Sequence, residues 1–268
     1  MSEAAIGFFD SGIGGLTVLR TIRQKLPFEN LIYLGDTARL PYGTKSPETI
    51  YRYTNQSIQA LVKLKVKAIV VACNSASTAL LNKALPVTSP VPIYNVIEPG
   101  SEVALRASVS KRIGVLGTRA TVQSNAYVNA IHARNSLAVV IQQAAPLLVP
   151  LVEEGWESDP LTNLIIYRYT APIMAQSIDT LILGCTHYPA LRAGIIRVVG
   201  NSVELVDSAD AIAESLERDF SNGLVRRNES KEAGKLQLFA TDASVAMDLT
   251  AQRLMNDPAL PSFQHCDL

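Results

Sequence analysis

The sequence predicts an α/β protein made of two doubly wound parallel-sheet domains. Short apolar runs alternate with helix-like segments along almost the whole chain of 268 residues, a pattern typical of buried parallel strands joined by helices. A strand, a glycine-rich turn and a helix are predicted at 6–20 and again at 113–127. Each of these units precedes an apolar run that ends in a cysteine, Cys73 or Cys185. The repetition indicates two similar halves.

These halves are expected to be separate, pseudo-symmetric domains with the active site in the cleft between them. The tripeptide Glu98-Pro99-Gly100 resembles a hinge. We expect a first domain of residues 1–97 plus 209–268 and a second domain of residues 98–208. Ligands of parallel α/β sheets bind beyond the carboxyl ends of the strands. Two halves that face each other would therefore place the two cysteines on opposite walls of one cleft.

The elements of the first half follow from apolar spacing and from capping residues. Ser46 is a suitable N-cap for the helix at 47–65, and Pro47 suits its first helical position. Cys73 follows the strand at 68–72 and precedes a helix at 75–85. The other predicted elements are strands at 5–9 and 30–34, a helix at 14–25, and a short strand after the proline-rich segment 87–92.

In the second half and the tail the same alternation restarts. Cys185 comes directly after the apolar run 180–183 and Gly184. The polar stretch 222–234 is predicted to be a surface loop. The predicted strands are 112–117, 137–142, 180–183, 203–206 and 236–240, and the predicted helices are 122–134, a segment within 160–176, 189–199, 208–220 and 243–254.

Composition excludes several classes of function. The chain has 24 Lys and Arg residues and 24 Asp and Glu residues, so no excess of positive charge would attract nucleic acid or a membrane surface. No apolar run approaches the roughly 20 residues of a membrane span, and the first residues lack a secretory leader pattern. Three cysteines without CxxC spacing predict neither a disulfide framework nor a zinc site. We expect a soluble, cytoplasmic protein without a metal.

The two strand-end cysteines suggest proton-transfer chemistry. A thiolate can remove a proton from one face of a carbon while a thiol returns a proton to the other face, which inverts the stereocentre of a racemase or epimerase substrate. A thioester-forming nucleophile and a redox pair are competing interpretations, and a strand-end cysteine can also be a small buried residue. His187, two residues after Cys185, could carry protons, or it could be a capping or core histidine.

Asp10 ends the first predicted strand within the glycine-rich segment 10–15. Such a segment could bind phosphate, and Asp10 could be an ordinary helix N-cap. The segment lacks both GxxxxGK[ST] and a regular GxGxxG spacing, and a carboxylate would repel phosphate. A carboxylate here is better suited to receive a substrate ammonium group or to orient a catalytic group.

Five blocks, in order, resemble the bacterial glutamate racemase family. The resemblance extends from residue 6 to about residue 207, with a weaker fit at 236–254. The blocks are Asp10-Ser11-Gly12-Ile13-Gly14-Gly15-Leu16-Thr17-Val18, Gly35-Asp36-Thr37-Ala38-Arg39-Leu40-Pro41-Tyr42-Gly43, Ala72-Cys73-Asn74-Ser75-Ala76, Val149-Pro150-Leu151-Val152-Glu153-Glu154-Gly155 and Gly184-Cys185-Thr186-His187-Tyr188-Pro189.

The resemblance implies a homodimeric enzyme that interconverts L- and D-glutamate without a cofactor and supplies D-glutamate for peptidoglycan. It implies that Cys73 deprotonates D-glutamate and Cys185 deprotonates L-glutamate. Asp10 would support Cys73, and His187, with Glu153 behind it, would support Cys185. The residues that it implies for substrate binding are Asp10, Ser11, Pro41, Tyr42, Gly43, Asn74, Ser75, Thr118, Thr121, Thr186 and His187.

Two positions depart from the family pattern. Ala144 stands where the family often has a cysteine, and Ser75 replaces the more usual threonine but keeps its hydroxyl. Cys266, close to the C-terminus, is expected to have no role. Two alternatives stay open: a racemase of aspartate or another amino acid, and a non-catalytic binding protein of the same fold.

Overall fold

A computed structural model describes residues 4–81, 86–230 and 232–268 of the protein. The chain divides into two compact units, Met1–Val96 with Ala209–Leu268, and Ile97–Ser208. Each unit contains one parallel β-sheet with helices connecting its strands. The predicted fold class, α/β with two parallel-sheet domains, is therefore confirmed.

The first unit, as far as it is described, holds a six-stranded sheet and five α-helices. Its strands are β1 Ile6–Asp10, β2 Leu31–Gly35, β3 Ala68–Val71 and β4 Ile93–Asn95, followed near the C-terminus by β9 Leu236–Ala240 and β10 Gln264–His265. Its helices are α1 Leu16–Lys25, α2 Pro47–Lys63, α3 Asn74–Leu80, α10 Ala209–Ser221 and α11 Val245–Met255. Ser46 caps α2 as expected, because its hydroxyl accepts the backbone N–H of Thr49.

The second unit has a four-stranded sheet. Its strands are β5 Arg112–Gly117, β6 Val139–Ala144, β7 Thr180–Gly184 and β8 Glu204–Val206. Its helices are α4 Ile97–Ala107, α5 Arg119–Gln123, α6 Ala126–His132, α7 Leu148–Glu153, α8 Pro160–Met174 and α9 Arg192–Val199.

Four strands of the first sheet have the same order as the four strands of the second. In the first unit β1 lies between β2 and β3, with β4 beyond β3, and in the second unit β5 lies between β6 and β7, with β8 beyond β7. Phe9 is level with Val71 in the first sheet, and Gly117 is level with Gly184 in the second. The carboxyl ends of the central strands are therefore aligned, and Cys73 and Cys185 each leave their own sheet at this edge.

Several predicted boundaries differ from the observed ones. Glu98-Pro99-Gly100, predicted as a hinge, lies in the first turn of helix α4, where proline is tolerated because the first turn has no N–H partner to lose. The predicted helix 122–134 is divided between α5 and α6, because Asn125 between them adopts a left-handed φ of 54°. The end of the predicted helix 75–85 lies outside the described residues, since the description stops at residue 81 and resumes at 86.

Two further helices deviate from the prediction. The segment predicted as a helix at 189–199 begins as a 3₁₀ turn, Tyr188–Leu191, and becomes α-helical only at Arg192. The short helix α7 was absent from the prediction, since Pro150 inside it masks the helical pattern. Among the residues that the structure describes, none of the helices is both long enough and apolar enough to span a bilayer.

Candidate active site

Cys73 lies two residues after the end of β3 and is the N-cap of α3. Its sulfur accepts a hydrogen bond from the backbone N–H of Ala76, 3.4 Å away. The thiol in turn can donate to the Ser11 hydroxyl at 3.5 Å, and the cysteine is 5% exposed. A backbone N–H in the first turn of a helix stabilises negative charge. This position therefore suits a reactive thiolate.

Asp10, the last residue of β1, is completely buried beside this helix end. Its Oδ2 accepts the backbone N–H of Gly12 at 3.0 Å, which folds the glycine-rich segment back over the end of the strand. A Cβ at Gly15 would lie 2.7 Å from the Asp10 Cβ, so the close approach requires glycine. Burial raises the pKa of Tyr33 well above its ordinary value, and the charges of Asp10 and Cys73 raise it further. Both groups therefore act on one buried phenol.

Of the residues implied for substrate binding, Asn74 and Ser75 form the first turn of α3 and are 3% and 2% exposed. They follow Cys73 directly in the sequence. Hydroxyl and amide groups at a helix start are suited to bind a carboxylate together with the backbone N–H groups there. The structure therefore brings Asp10, Ser11, Cys73 and these two residues to one edge of the first sheet.

The segment Pro41, Tyr42 and Gly43 lies in and before a 3₁₀ turn that contacts α3. Tyr42 is buried, and its hydroxyl donates to the Asp36 carboxylate. The same carboxylate accepts the Arg39 Nε–H, 2.7 Å from Oδ2. Burial and the Asp36 charge hold the pKa of Tyr42 far above its ordinary value. Because this hydroxyl is engaged, a ligand at the turn would meet its backbone instead.

Cys185 follows β7 and is paired with a histidine. Its sulfur lies 3.8 Å from Nδ1 of His187, and the two residues are each 6% exposed. On the other side of the ring, Nε2 lies 3.2 Å from Oε1 of Glu153, at the end of α7. The ring N–H does not point at that oxygen closely enough for a good hydrogen bond, so the contact is mainly electrostatic.

This environment changes the titration of His187. Burial lowers its pKa, but the hydrogen bond to Cys185 and the neighbouring Glu153 carboxylate outweigh burial and raise the pKa to about 10. The ring therefore carries a proton at neutral pH. A protonated imidazole stabilises negative charge on the adjacent sulfur and can also pass on a proton. The predicted Cys185, His187 and Glu153 grouping is thus present as a contiguous chain of contacts.

Thr118, Thr121 and Thr186 are buried at the same edge of the second sheet. Thr118 is the N-cap of α5, and its Oγ1 accepts the backbone N–H of Thr121 at 3.2 Å. The two hydroxyl oxygens are 3.0 Å apart. Thr118 and Thr121 therefore form one hydroxyl pair beside the end of β5, while Thr186 lies between Cys185 and His187 in sequence.

Three buried residues near these groups were missed by the sequence prediction: Asp36, Tyr33 and Tyr188. Asp36 and Tyr188 stand inside blocks that carry the family resemblance, so their position was available as a signal. Tyr33 looks like any other residue of a buried strand. Within the described part of the chain, no cluster of three or more His, Cys, Asp and Glu side chains is arranged to hold a metal ion.

The family model described as Asp/Glu/Hydantoin racemase matches residues 11–216. The chain belongs to this racemase family. A curated relative named glutamate racemase, from Geobacter metallireducens, is 44% identical over 255 residues, which cover 95% of this chain and 94% of the relative. The family expected from the five sequence blocks is therefore confirmed.

Solved structures of this racemase family support the same assignment. Glutamate racemase isoform RacE1 from Bacillus anthracis superposes with a TM-score of 0.92 at 34% identity, covering 99% of this chain and 98% of that chain. Glutamate racemase from Francisella tularensis, solved in complex with D-glutamate, has a TM-score of 0.89 at 31% identity and covers 100% of this chain and 98% of that chain.

Proposed function

We propose that the protein is a glutamate racemase that interconverts L- and D-glutamate with two cysteines and no organic cofactor. The observation that carries the proposal is that four strands have the same order in both sheets, and that a buried cysteine follows the equivalent strand, β3 or β7, at the carboxyl edge of each. Glutamate racemase is also the name of the relatives at high coverage.

In the proposed reaction, the thiolate of Cys73 takes the α-proton of D-glutamate. The thiol of Cys185 then delivers its own proton to the opposite face of the α-carbon, which yields L-glutamate. The reverse reaction exchanges the two roles. After one turnover from D- to L-glutamate, Cys73 is the thiol and Cys185 is the thiolate. Proton exchange with solvent then restores the Cys73 thiolate and the Cys185 thiol.

The chemical difficulty is the low acidity of the α-proton. Every unit of pKa difference between that proton and a thiol costs about 1.36 kcal/mol. Without an electron sink such as pyridoxal phosphate, the site must stabilise the carbanionic species with prearranged donors and exclude water from it. The buried hydroxyl and amide groups of Asn74, Ser75 and Thr186 support this part of the proposal.

The supporting groups differ between the two sulfurs. Asp10 would hold the loop beside Cys73 and receive the substrate ammonium group. His187, kept protonated by its contacts, would stabilise negative charge on the Cys185 sulfur and relay its proton. Ser11, Thr118, Thr121 and the backbone of residues 41–43 would complete the binding of the two carboxylates.

The biological setting is proposed on chemical grounds. The product D-glutamate would supply peptidoglycan synthesis, and hence cell-wall formation and cell shape. All three cysteines are free in the structure, and a two-thiol reaction needs Cys73 and Cys185 reduced, which favours the cytoplasm.

We also propose a homodimer, for which the exposed apolar side chains Leu161, Leu164 and Tyr167 along α8 offer a surface. Sedimentation velocity would contradict this if it found only monomer.

The function is tested by proton exchange in heavy water. L- and D-glutamate are offered separately to the wild type, to Cys73→Ala and to Cys185→Ala. Wild type should incorporate deuterium at the α-carbon and racemise both enantiomers, whereas each variant should lose racemisation by at least about 10²–10⁴-fold, because one face of the α-carbon has then lost its acid or base. Nuclear magnetic resonance and a chiral separation measure the two events.

Cys266→Ala is the matched control, since Cys266 is a free, partly exposed cysteine that has no role in the proposed reaction, and it should behave as wild type. Racemisation that survives either Ala substitution would refute the two-thiol mechanism. Exchange with aspartate but not with glutamate would retain the mechanism and change the substrate. Lack of exchange with both amino acids would favour a non-catalytic binding protein.

A further inference from the structure

Each unit contains a completely buried tyrosine whose hydroxyl lies at the edge where its cysteine leaves the sheet. Tyr33 belongs to β2, and Tyr188 begins the 3₁₀ turn after Cys185. Tyr33 donates to the backbone carbonyl of Gly12 at 3.0 Å. Tyr188 lies within hydrogen-bond distance of two carbonyls at the ends of neighbouring strands. Neither hydroxyl takes part in the proposed reaction.

The Tyr33 hydroxyl holds the loop that follows β1. Gly12, whose carbonyl it binds, donates its own N–H to Asp10. The tyrosine oxygen also lies close to the start of α1, since a Cβ built at Gly15 would be 3.0 Å from it. One side chain therefore connects both ends of the loop that carries Ser11 and covers Asp10.

The Tyr188 hydroxyl has a comparable place in the second unit. It lies 3.2 Å from the carbonyl oxygen of Gly117, the last residue of β5, and 2.9 Å from that of Ala145, just after β6. Its backbone N–H donates to the carbonyl of Cys185 at 3.1 Å. The residue thus joins the cysteine turn to the ends of two adjacent strands.

Both hydroxyls stay protonated throughout the range in which a protein is studied. Burial raises the pKa of Tyr33 and of Tyr188 well above the ordinary value, and the nearby cysteine charge acts in the same direction in each case. The groups can therefore donate hydrogen bonds but cannot exchange protons with a substrate. Their effect must pass through the loops that they hold.

We propose that Tyr33 and Tyr188 are matched positioning residues, each of which holds the backbone beside one of the two cysteines. The inference rests on the proposed two-thiol racemisation. Removing the Tyr33 hydroxyl takes the side-chain donor away from the buried Gly12 carbonyl. Removing the Tyr188 hydroxyl breaks its link to the carbonyls of Gly117 and Ala145, which keep backbone N–H groups as donors. In both cases a hydrogen bond that fixes the backbone near the cysteine is lost, so this backbone shifts. A proton transfer between sulfur and carbon is sensitive to shifts well below 1 Å. Each tyrosine therefore governs the proton transfer at its own sulfur.

The test uses Tyr33→Phe and Tyr188→Phe with glutamate deuterated at the α-carbon. Two enantiomers have equal free energy in water, so kcat/KM must be the same in both directions for any one variant. We expect kcat/KM to be about tenfold lower in Tyr33→Phe and in Tyr188→Phe than in wild type. The informative quantity is the α-deuterium isotope effect on kcat/KM, measured separately for the two enantiomers. It grows for the enantiomer whose deprotonation has become slower and shrinks for the other.

Tyr33→Phe should therefore raise the isotope effect for the enantiomer deprotonated by Cys73 and lower it for its mirror image, and Tyr188→Phe should do the opposite. Tyr94→Phe is the control. It removes a hydroxyl that donates to Asp219 at 2.6 Å elsewhere in the first unit, and it should leave both isotope effects unchanged. Thermal unfolding of all three variants reports how much stability each has lost.

Shifts of equal sign in Tyr33→Phe and Tyr188→Phe, or no shifts, would overturn the inference. The proposed function would fail separately, through activity that survives in Cys73→Ala or Cys185→Ala.

Discussion

The two cysteine environments are built on equivalent strands but are supported from different positions. Asp10, beside Cys73, ends the central strand of its sheet, and the corresponding strand of the second unit ends in Gly117. His187 stands two residues after Cys185, and the residue two after Cys73 is Ser75. The ionisable residue of each unit, Asp10 or His187, therefore stands at a position where the other unit has a small, uncharged residue, Gly117 or Ser75.

This difference shows what a repeated fold does and does not determine. The common strand order brings a sulfur to the same edge of each sheet, but the electrostatic surroundings depend on single side chains. The Cys73 sulfur accepts a backbone N–H and has a buried carboxylate close by, whereas the Cys185 sulfur faces an imidazole held by Glu153. In the proposed reaction, the two mirror-image forms of the substrate would therefore be deprotonated beside different supporting groups.

The largest expected effect comes from removing each supporting group. Asp10→Asn and His187→Gln should each lower kcat by about 10²–10⁴-fold, the usual contribution of a positioned acid or base. Asp10→Asn should enlarge the isotope effect for the enantiomer that Cys73 deprotonates, and His187→Gln should enlarge it for the other. Steady-state kinetics with deuterated substrates measure both changes.

Glu153→Gln serves as the graded control for this comparison. The Glu153 carboxylate touches the ring of His187 but is 35% exposed, so its loss should cost about tenfold in kcat, with the same direction of isotope effect as His187→Gln. Equal isotope effects in Asp10→Asn and His187→Gln would show that the two environments do not act on separate faces.

Much of this arrangement could be predicted from sequence, because its signals are local. The positions of Cys73 and Cys185 follow from apolar runs that end at a cysteine, and β5 was predicted with its observed bounds, Arg112–Gly117. The break between α5 and α6 could not be seen, since the left-handed conformation of Asn125 interrupts a continuous helical pattern.

The supporting contacts are harder to predict because they connect distant parts of the chain. Tyr33 reaches Gly12, 21 residues away, and Tyr188 reaches Gly117, 71 residues away. Tyr33 does not differ in sequence pattern from a residue that merely fills a core, and for Tyr188 the family block marks the position but not the contact. Glu153 was expected behind His187 only through the family resemblance, since α7 itself was not predicted.

A second way to sharpen the comparison is the pH dependence of stability. The pKa of His187 is raised from 6.5 to about 10 in the folded protein, so the folded state binds a proton that the unfolded chain releases above pH 6.5. The resulting stabilisation is complete below pH 6.5 and is lost as the pH rises towards 10. The difference in unfolding free energy between wild type and His187→Gln should therefore shrink over this range, as urea titrations at several pH values would show.

Asp10→Asn is the comparison for this experiment, because it changes a charged residue near Cys73 and leaves every histidine in place. The stability difference between Asp10→Asn and wild type should not follow the same decline between pH 6.5 and 10. A decline of equal size in both variants would assign the effect to global titration of the protein. A constant difference for His187→Gln would show that His187 is not protonated at neutral pH.

The smallest expected effect concerns Ser75, which occupies in the first unit the place that His187 has in the second. Ser75 is 2% exposed in the first turn of α3, so its hydroxyl is proposed to bind a substrate carboxylate and not to move protons. Ser75→Thr keeps the hydroxyl and adds one methyl group, and kcat should stay within about threefold of wild type. Ser75→Ala removes the hydrogen bond and should raise KM about tenfold with little change in kcat. Steady-state kinetics separate kcat from KM. If Ser75→Ala lost as much kcat as His187→Gln, the hydroxyl of Ser75 would contribute to proton transfer as His187 does, and the proposed difference between the two positions would be wrong.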